Sequence, residues 1–277
     1  MKPKIQGPVN EDYPFLGSAR GDHRAVVDVG LKDGVETRMA VESGFVVYSF
    51  EPVPDHCAET RHALEKRNLT YHDVELDRHG NLLNPLPEPE PGKGICYLFC
   101  VAAGAAHGWS TFYQDPTTGY GSSFHDPVAK DHATRVDNQN SSSKKYTLEV
   151  QVVPISQFVN TDVYFFKSDT QGHEIDVLKG ARELFQRHIV RLVGIEFWPK
   201  GLKSAGASPE SLMDMLHSLE LLCFDRGNQR DELVHHLEDF TSYMKVALDI
   251  PIGRRWGWFT DFVCLNTAKI YSHLRTS

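Results

Sequence analysis

The stretch Val26-Val27-Asp28-Val29-Gly30-Leu31-Lys32-Asp33-Gly34 decides the fold, together with Val46-Val47-Tyr48-Ser49-Phe50-Glu51-Pro52, which follows after a short helical segment. An apolar run ends in a glycine turn, a helix-length segment intervenes, and a second apolar run ends on a carboxylate. A strand, turn, helix and parallel strand in that order leave backbone N–H groups at the turn. They also put an acidic side chain at the tip of the second strand, where it can accept both hydroxyls of a ribose. The unit therefore predicts a nucleoside-containing cofactor. A dinucleotide site asks for G-x-G-x-x-G so that the backbone can approach a pyrophosphate, and Lys32 stands at the second glycine, which argues against NAD. S-adenosylmethionine suits what remains: it has no phosphate, Gly30 leaves room for its methionyl end, and Glu51 faces its ribose. The competing reading is local, with Gly30 and Gly34 permitting a tight turn and Glu51 capping the next segment.

A second constellation narrows the choice. Val163-Tyr164-Phe165-Phe166-Lys167-Ser168-Asp169-Thr170-Gln171-Gly172-His173-Glu174-Ile175-Asp176-Val177-Leu178-Lys179-Gly180-Ala181 runs from an apolar strand through a polar turn into a helix. Lys167, Asp169, Gly172, Glu174 and Leu178-Lys179-Gly180-Ala181 stand in the register of a signature of the FkbM family of S-adenosylmethionine-dependent methyltransferases, which the chain resembles. That family's opening Asp-(Val/Ile)-Gly-Ala-Asn-x-Gly is matched by Asp28, Val29, Gly30 and Gly34, and its Phe-Glu-Pro by Phe50-Glu51-Pro52. The resemblance covers about residues 24 to 266 and implies a class I, Rossmann-like methyltransferase fold with S-adenosylmethionine as cofactor. Two departures stand out. Leu31 and Lys32 replace the family's usual Ala-Asn, and Gln171 replaces the usual Glu of a Glu-Gly pair, removing a charge beside the expected reaction centre.

Composition bounds the alternatives. A chain of 277 residues with 40% apolar residues can bury one sizeable core, so residues 1–277 read as a single domain. Within it, 1–22 is an N-terminal extension, 77–94 a proline-rich loop insertion and 115–145 a polar loop. A formal net charge of −8 offers no broad basic face, so a nucleic acid is a poor fit as substrate. Cys57, Cys96, Cys100, Cys223 and Cys264 show no paired C-x-x-C spacing and are odd in number, so neither zinc nor a complete disulfide framework is expected and reduced thiols are the default. No apolar run approaches the roughly 20 residues that span a bilayer, and the N-terminus lacks the layout of a signal peptide. The expected setting is cytoplasmic, without a membrane partner; nothing in the sequence sets the oligomeric state.

Strands and helices alternate as in a doubly wound, mostly parallel α/β sheet, expected to be seven-stranded with an antiparallel edge. Strands are predicted near 25–29, 46–50, 95–102, 147–153, 163–168, 190–196, 220–224 and 260–266, and helices near 34–43, 55–67, 174–187 and 208–219. Between them, Asp77 to Gly94 is closed to helix and central strand by its prolines. In Asp115 to Lys145, the Gly-Ser-Ser segment around Ser122 and Ser123 is similar to one the family commonly carries and is expected beside the cofactor, although a plain surface linker explains it equally well.

In an open parallel sheet, ligands sit beyond the carboxyl ends of the strands, where Asp28, Glu51, Ala102-Ala103, Asp169 and Glu196 all fall. The expected cofactor contacts are Asp28, Gly30, Gly34, Glu51, Pro52, Ala102, Ala103 and Asp169, with the two alanines bordering the adenine. Methyl transfer is an in-line displacement, so the protein's tasks are to align the acceptor, dry the site and take a proton from a neutral hydroxyl. Asp169, His173 and Glu196 are the candidates for that proton. Each has a plainer reading: an N-cap for Asp169, a solvated side chain for His173 and an ion pair for Glu196. Asp169 and Glu196 could also hold Mg²⁺, but no spacing asks for it and no metal is expected. Gln171, Ser122, Ser123, Trp198 and Trp256 are candidate acceptor contacts, the tryptophans as stacking faces or, equally, as plain core. The acceptor implied by the resemblance is a hydroxyl of a small molecule, a sugar or a polyketide-like metabolite. A non-catalytic binding protein that keeps the fold, or an N-methyltransferase, are the alternatives.

Overall fold

The computed structural model describes residues 25–114, 146–225, 232–234 and 259–266. The elements are, in order, β1 (Ala25–Val29), α1 (Val35–Glu42), β2 (Val46–Phe50), α2 (Pro54–Glu65), β3 (Thr70–Asp73), β4 (Ile95–Phe99), β5 (Ala102–Ala103), β6 (Gly108–Gln114) and β7 (Tyr146–Val153). There follow β8 (Val163–Ser168), α3 (Glu174–Gly180), α4 (Arg182–Arg187), β9 (Val190–Phe197), α5 (Pro199–Ser204), α6 (Pro209–Ser218), β10 (Leu221–Asp225), β11 (Glu232–Val234) and β12 (Thr260–Asn266). The N-terminal extension 1–22, the polar loop 115–145 with Ser122 and Ser123, and Trp256 lie outside the described residues.

Nine strands form one sheet in the order β11-β10-β12-β9-β8-β1-β2-β4-β3. From β3 to β9 the pairing is parallel, and antiparallel pairing is confined to the end formed by β12, β10 and β11. The chain winds outward from β1 through β2 and β4, then returns to wind the other way through β8 and β9. The strand order thus reverses between β1 and β8, which is where ligands collect in such sheets. The doubly wound sheet matches expectation, but it has nine strands and not seven. The sequence marks the additional edge strands weakly: β3 reads Thr-Tyr-His-Asp with half-buried or exposed side chains, and β11 has three residues.

Burial on both faces explains why β4 reads as an unbroken apolar run, and β1 and β8 as apolar runs broken only by Asp28 and by Lys167-Ser168. Alternate residues of β1 serve different cores. Val26 packs with Ala40 and Val41 of α1 and Cys57 and Leu64 of α2, whereas Val27 and Val29 belong with Val177, Leu184 and Leu212 of α3, α4 and α6.

Three sequence expectations need correction. The segment 95–102 is not one strand: β4 ends at Phe99, and β5 pairs with β7 and β6 in a separate three-stranded sheet, so the strand expected at 147–153 is not part of the parallel sheet. The helix expected over 174–187 is two helices meeting at Ala181. A Cβ on Gly180 would lie 2.0 Å from the Gly104 carbonyl oxygen, so the end of α3 packs backbone to backbone on the chain after β5. Finally, Cys57–Cys100 and Cys223–Cys264 are disulfides and buried Cys96 is the free thiol, where reduced thiols were expected. Partners 43 and 41 residues apart leave no local spacing signal; Cys223 and Cys264 meet only because β10 and β12 pair.

Residues 77–94 form neither helix nor paired strand beyond an isolated bridge between Leu76 and Leu82, as their prolines require. No helix among the described residues is long and apolar enough to cross a membrane.

Candidate active site

The carboxyl ends of four parallel strands are laced together in sequence. Glu51 N–H, just past β2, donates to Phe99 O of β4; Gly30 N–H, just past β1, donates to Phe50 O of β2; Asp169 N–H, just past β8, donates to Val29 O of β1, each at 3.0 Å. The parallel ladder thereby continues one residue beyond the strands and sets Glu51, Gly30 and Asp169 along one edge. Glu196, near the end of β9, is tied to the same edge through the side chain of Gln171.

Gly30 is required by backbone proximity. Its φ is +82°, and a Cβ there would sit 1.9 Å from the Asp169 carbonyl oxygen. Gly34, at φ +67°, faces Thr60 of α2, whose side chain a Cβ would meet at 2.6 Å, so its glycine serves the packing of the turn on α2. Lys32 also adopts a left-handed conformation, φ 53°, the position where the family's usual Asn is better tolerated.

Glu51 is buried and its carboxylate bridges the turn after β1 and the start of α2. Oε2 accepts from Leu31 N–H at 3.0 Å and Lys32 N–H at 3.3 Å, and Oε1 accepts from Val53 N–H at 2.9 Å. His56 Nδ1 lies 3.5 Å from Oε1, and that hydrogen bond raises the histidine pKa against the opposing effect of burial. Pro52 follows Glu51 and is half-buried. Ala102 is buried in one cluster with Val53, which brings β5 beside the end of β2, and Ala103 is buried in the main core.

Asp28 has no exposed surface. Thr37 Oγ1 donates to its Oδ2 at 2.7 Å, and Lys167 Nζ, from the neighbouring position of β8, lies 3.3 Å from its Oδ1. Lys167 Nζ also donates to Gly30 O at 2.7 Å, so the buried pair fixes the β1 turn from beneath.

Near the β8 and β9 ends, Asp169, Glu174 and Glu196 gather as a group of carboxylates. Gln171 Nε2 donates to Asp169 Oδ1 at 3.1 Å and to Glu196 Oε1 and Oε2 at 2.9 and 3.0 Å. Glu196 is buried, and its pKa is pushed well above the usual carboxyl range by burial, with Asp169, Glu174 and Asp261 adding to it. Glu174 opens α3 and turns back on the loop: its Oε1 accepts from Thr170 N–H at 3.0 Å, Thr170 Oγ1 at 3.1 Å and Gly172 N–H at 3.1 Å. Its Oε2 is buried without a hydrogen-bond partner among the described residues, and burial pushes the pKa up to about 7. His173 is the buried residue preceding α3, and half-buried Trp198 precedes α5 with its ring against Gly201.

Among the expected residues, Gly30, Glu51, Asp169, Gln171 and Glu196 therefore share one edge, while Asp28 and Gly34 lie behind it. Sequence reading missed Lys167, Thr37, His56 and Glu174 as members of this arrangement. Lys167 and Glu174 were visible as in-register motif positions, whereas Thr37 and His56 carry no signal beyond falling in the first turns of α1 and α2.

A family model described as the Methyltransferase FkbM domain matches residues 28–221, from the end of β1 to the start of β10. The chain belongs to that family. Residues 28–221 are its FkbM methyltransferase domain, built on a doubly wound, Rossmann-like sheet. Among solved structures it is similar to a methyltransferase FkbM from Methylobacillus flagellatus KT, at 14% identity and a TM-score of 0.45 over 87% of this chain and 43% of that one. It is also similar to an rRNA methylase from Streptococcus thermophilus, at 10% identity and a TM-score of 0.44 over 95% of this chain and 98% of that one. A third is SMU.1697c, a putative methyltransferase from Streptococcus mutans in complex with SAH, at 11% identity and a TM-score of 0.44 over 94% and 98%. The FkbM-family chain thus spans less than half the length of the Methylobacillus protein. No protein of curated function matches it.

Proposed function

We propose that this FkbM-family chain methylates a hydroxyl oxygen of a small molecule, a sugar or a polyketide-like metabolite, at the carboxyl edge of its sheet. The observation that carries the reading is the carboxylate pair Asp169 and Glu196. A hydroxyl must lose a proton as it attacks, and Asp169 Oδ2 has no hydrogen bond among the described residues, Gln171 being engaged with Oδ1. Half-buried Asp169 is then the proton acceptor at Oδ2, with Glu196 beside it and buried His173 as the second group able to take a proton. A net charge of −8 favours a small acceptor over a nucleic acid.

The donor set at the edge fits the family's cofactor. When bound, S-adenosylmethionine supplies an electrophilic methyl group on a sulfonium. Glu51 is the residue we assign to the ribose; to accept its hydroxyls, the carboxylate exchanges the Leu31 and Lys32 N–H groups it now holds. Gly30, Asp169 and Pro52 border the methionyl and ribose positions, and Ala102 and Ala103 give an apolar flank to the adenine. Asp28 and Gly34 act from behind, the first through Lys167 and Gly30 O, the second through the packing of the turn on Thr60. Gln171 and Trp198 are the residues we assign to the acceptor, and Ser122, Ser123 and Trp256, outside the described residues, are kept as further candidate acceptor contacts.

A panel of hydroxyl acceptors incubated with methyl-labelled cofactor tests the reading. Asp169→Asn should cut turnover by about 10²–10⁴-fold, the range for losing a general base, with little change in cofactor affinity. Near-native turnover in Asp169→Asn, Glu196→Gln and His173→Ala alike contradicts the assignment of proton acceptors.

A further inference from the structure

Gln171 is the side chain that touches both carboxylates at the acceptor end of the edge, through Nε2 at 2.9–3.1 Å. Only the N–H₂ end of an amide can face carboxylates, so the partners fix its orientation. The backbone is committed to the same arrangement. Gln171 holds φ 56°, a left-handed conformation that persists only where the surroundings over-determine it. Gly172 follows at φ 103°, and a Cβ there would meet the Gly201 carbonyl at 2.5 Å, so α5 backs the turn. From inside, Glu174 Oε1 fastens Thr170 N–H and Gly172 N–H.

We propose that Gln171 is a positioning residue that holds Asp169 and Glu196 together as one proton-accepting unit and so sets the pH at which the acceptor can be activated. The inference rests on the assignment of Asp169 made above. Glu196 lies among Asp169 at the end of β8, Glu174 of α3 and Asp261, its cross-strand neighbour on β12, all of which oppose its ionisation, while the Gln171 amide favours it. A glutamate at 171, the family's usual residue, removes that donor and adds another carboxylate. The amide therefore lets this pair ionise at lower pH than a glutamate would allow.

The test is a carboxyl titration by ¹³C NMR of protein labelled in Asp and Glu, alongside calorimetry with S-adenosylhomocysteine as the probe. In Gln171→Met, the midpoint of Glu196 should rise by about one pH unit, a tenfold gain in proton affinity, the size of losing one hydrogen bond to a charged group. In Gln171→Glu it should rise further, and in Gln171→Asn, which keeps a shorter amide and guards against misfolding of the other two, by less than in Gln171→Met. Once an acceptor is known, the acidic limb of the rate should move in the same order. An unmoved Glu196 midpoint in all variants that fold overturns the proposal. Failure of the parent protein to bind S-adenosylhomocysteine tells instead against the cofactor edge and leaves the titration to judge the bridge.

Discussion

The two halves of the sheet keep buried carboxylates out of water by different means. Around β1, fully buried Asp28 has Lys167 Nζ at 3.3 Å and Thr37 Oγ1 at 2.7 Å, so its charge is closed by a cation and a hydroxyl. Around β8 and β9, Glu174 and Glu196 meet backbone N–H groups, the Thr170 hydroxyl, one amide and further carboxylates. Burial and the neighbouring carboxylates oppose their ionisation. A lysine ion pair suits a scaffold, whereas a carboxyl whose pKa is raised can give and take a proton, which suits the place where an acceptor must lose one.

Removing the fixed cation should have the largest effect. Lys167→Met leaves Asp28 buried without its cation and frees the Gly30 carbonyl, and should cost about 3–5 kcal/mol in urea unfolding. Adding Asp28→Asn should recover much of that loss. A cost below about 1 kcal/mol for the single variant would erase the distinction between the halves.

Protonation makes a smaller, pH-shaped contribution. Because burial raises the Glu174 pKa from 4.5 to about 7, the folded state holds more protons than the unfolded one across that interval. Stability should therefore fall as pH rises from 4.5 towards 7, by up to about 1.4 kcal/mol per pH unit for each such group. Glu174→Gln mimics the protonated acid: its Oε1 can keep the three hydrogen bonds and its amide replaces the unpartnered Oε2. It should flatten the slope and be more stable than the parent at pH 7, measured by denaturant unfolding at several pH values. An unchanged slope would mean that Glu174 is ionised in the folded state.

The same contrast explains how much was legible in the sequence. Strands covered on both faces, such as Val163–Ser168, announce themselves as apolar runs, and the strand-end residues Gly30, Glu51 and Asp169 follow from counting to the end of each run. Edge elements do not. β3 is polar and is held by pairing with β4, and β5 is two alanines whose membership of a separate sheet depends on a break at Cys100. Asp28 stands near a strand end, the ground for expecting it at the cofactor, and its contact with Thr37 of α1 is a feature that no local pattern marks. Lys167 as its partner depends on the register between β1 and β8, more than a hundred residues apart in sequence, which no local pattern encodes. Gln171 was seen as a missing charge; that its amide spans two carboxylates is a property of a left-handed turn.

The central claim, that the edge running from Glu51 through Gly30 to Asp169 is the cofactor site, is tested most directly by calorimetric titration with S-adenosylhomocysteine. The account predicts binding to the parent protein, none of comparable strength for NAD, and a loss of about 1–3 kcal/mol in Glu51→Ala, the usual cost of removing a charged hydrogen-bond partner. Equal affinity in the parent and Glu51→Ala, with the variant folded, would contradict it.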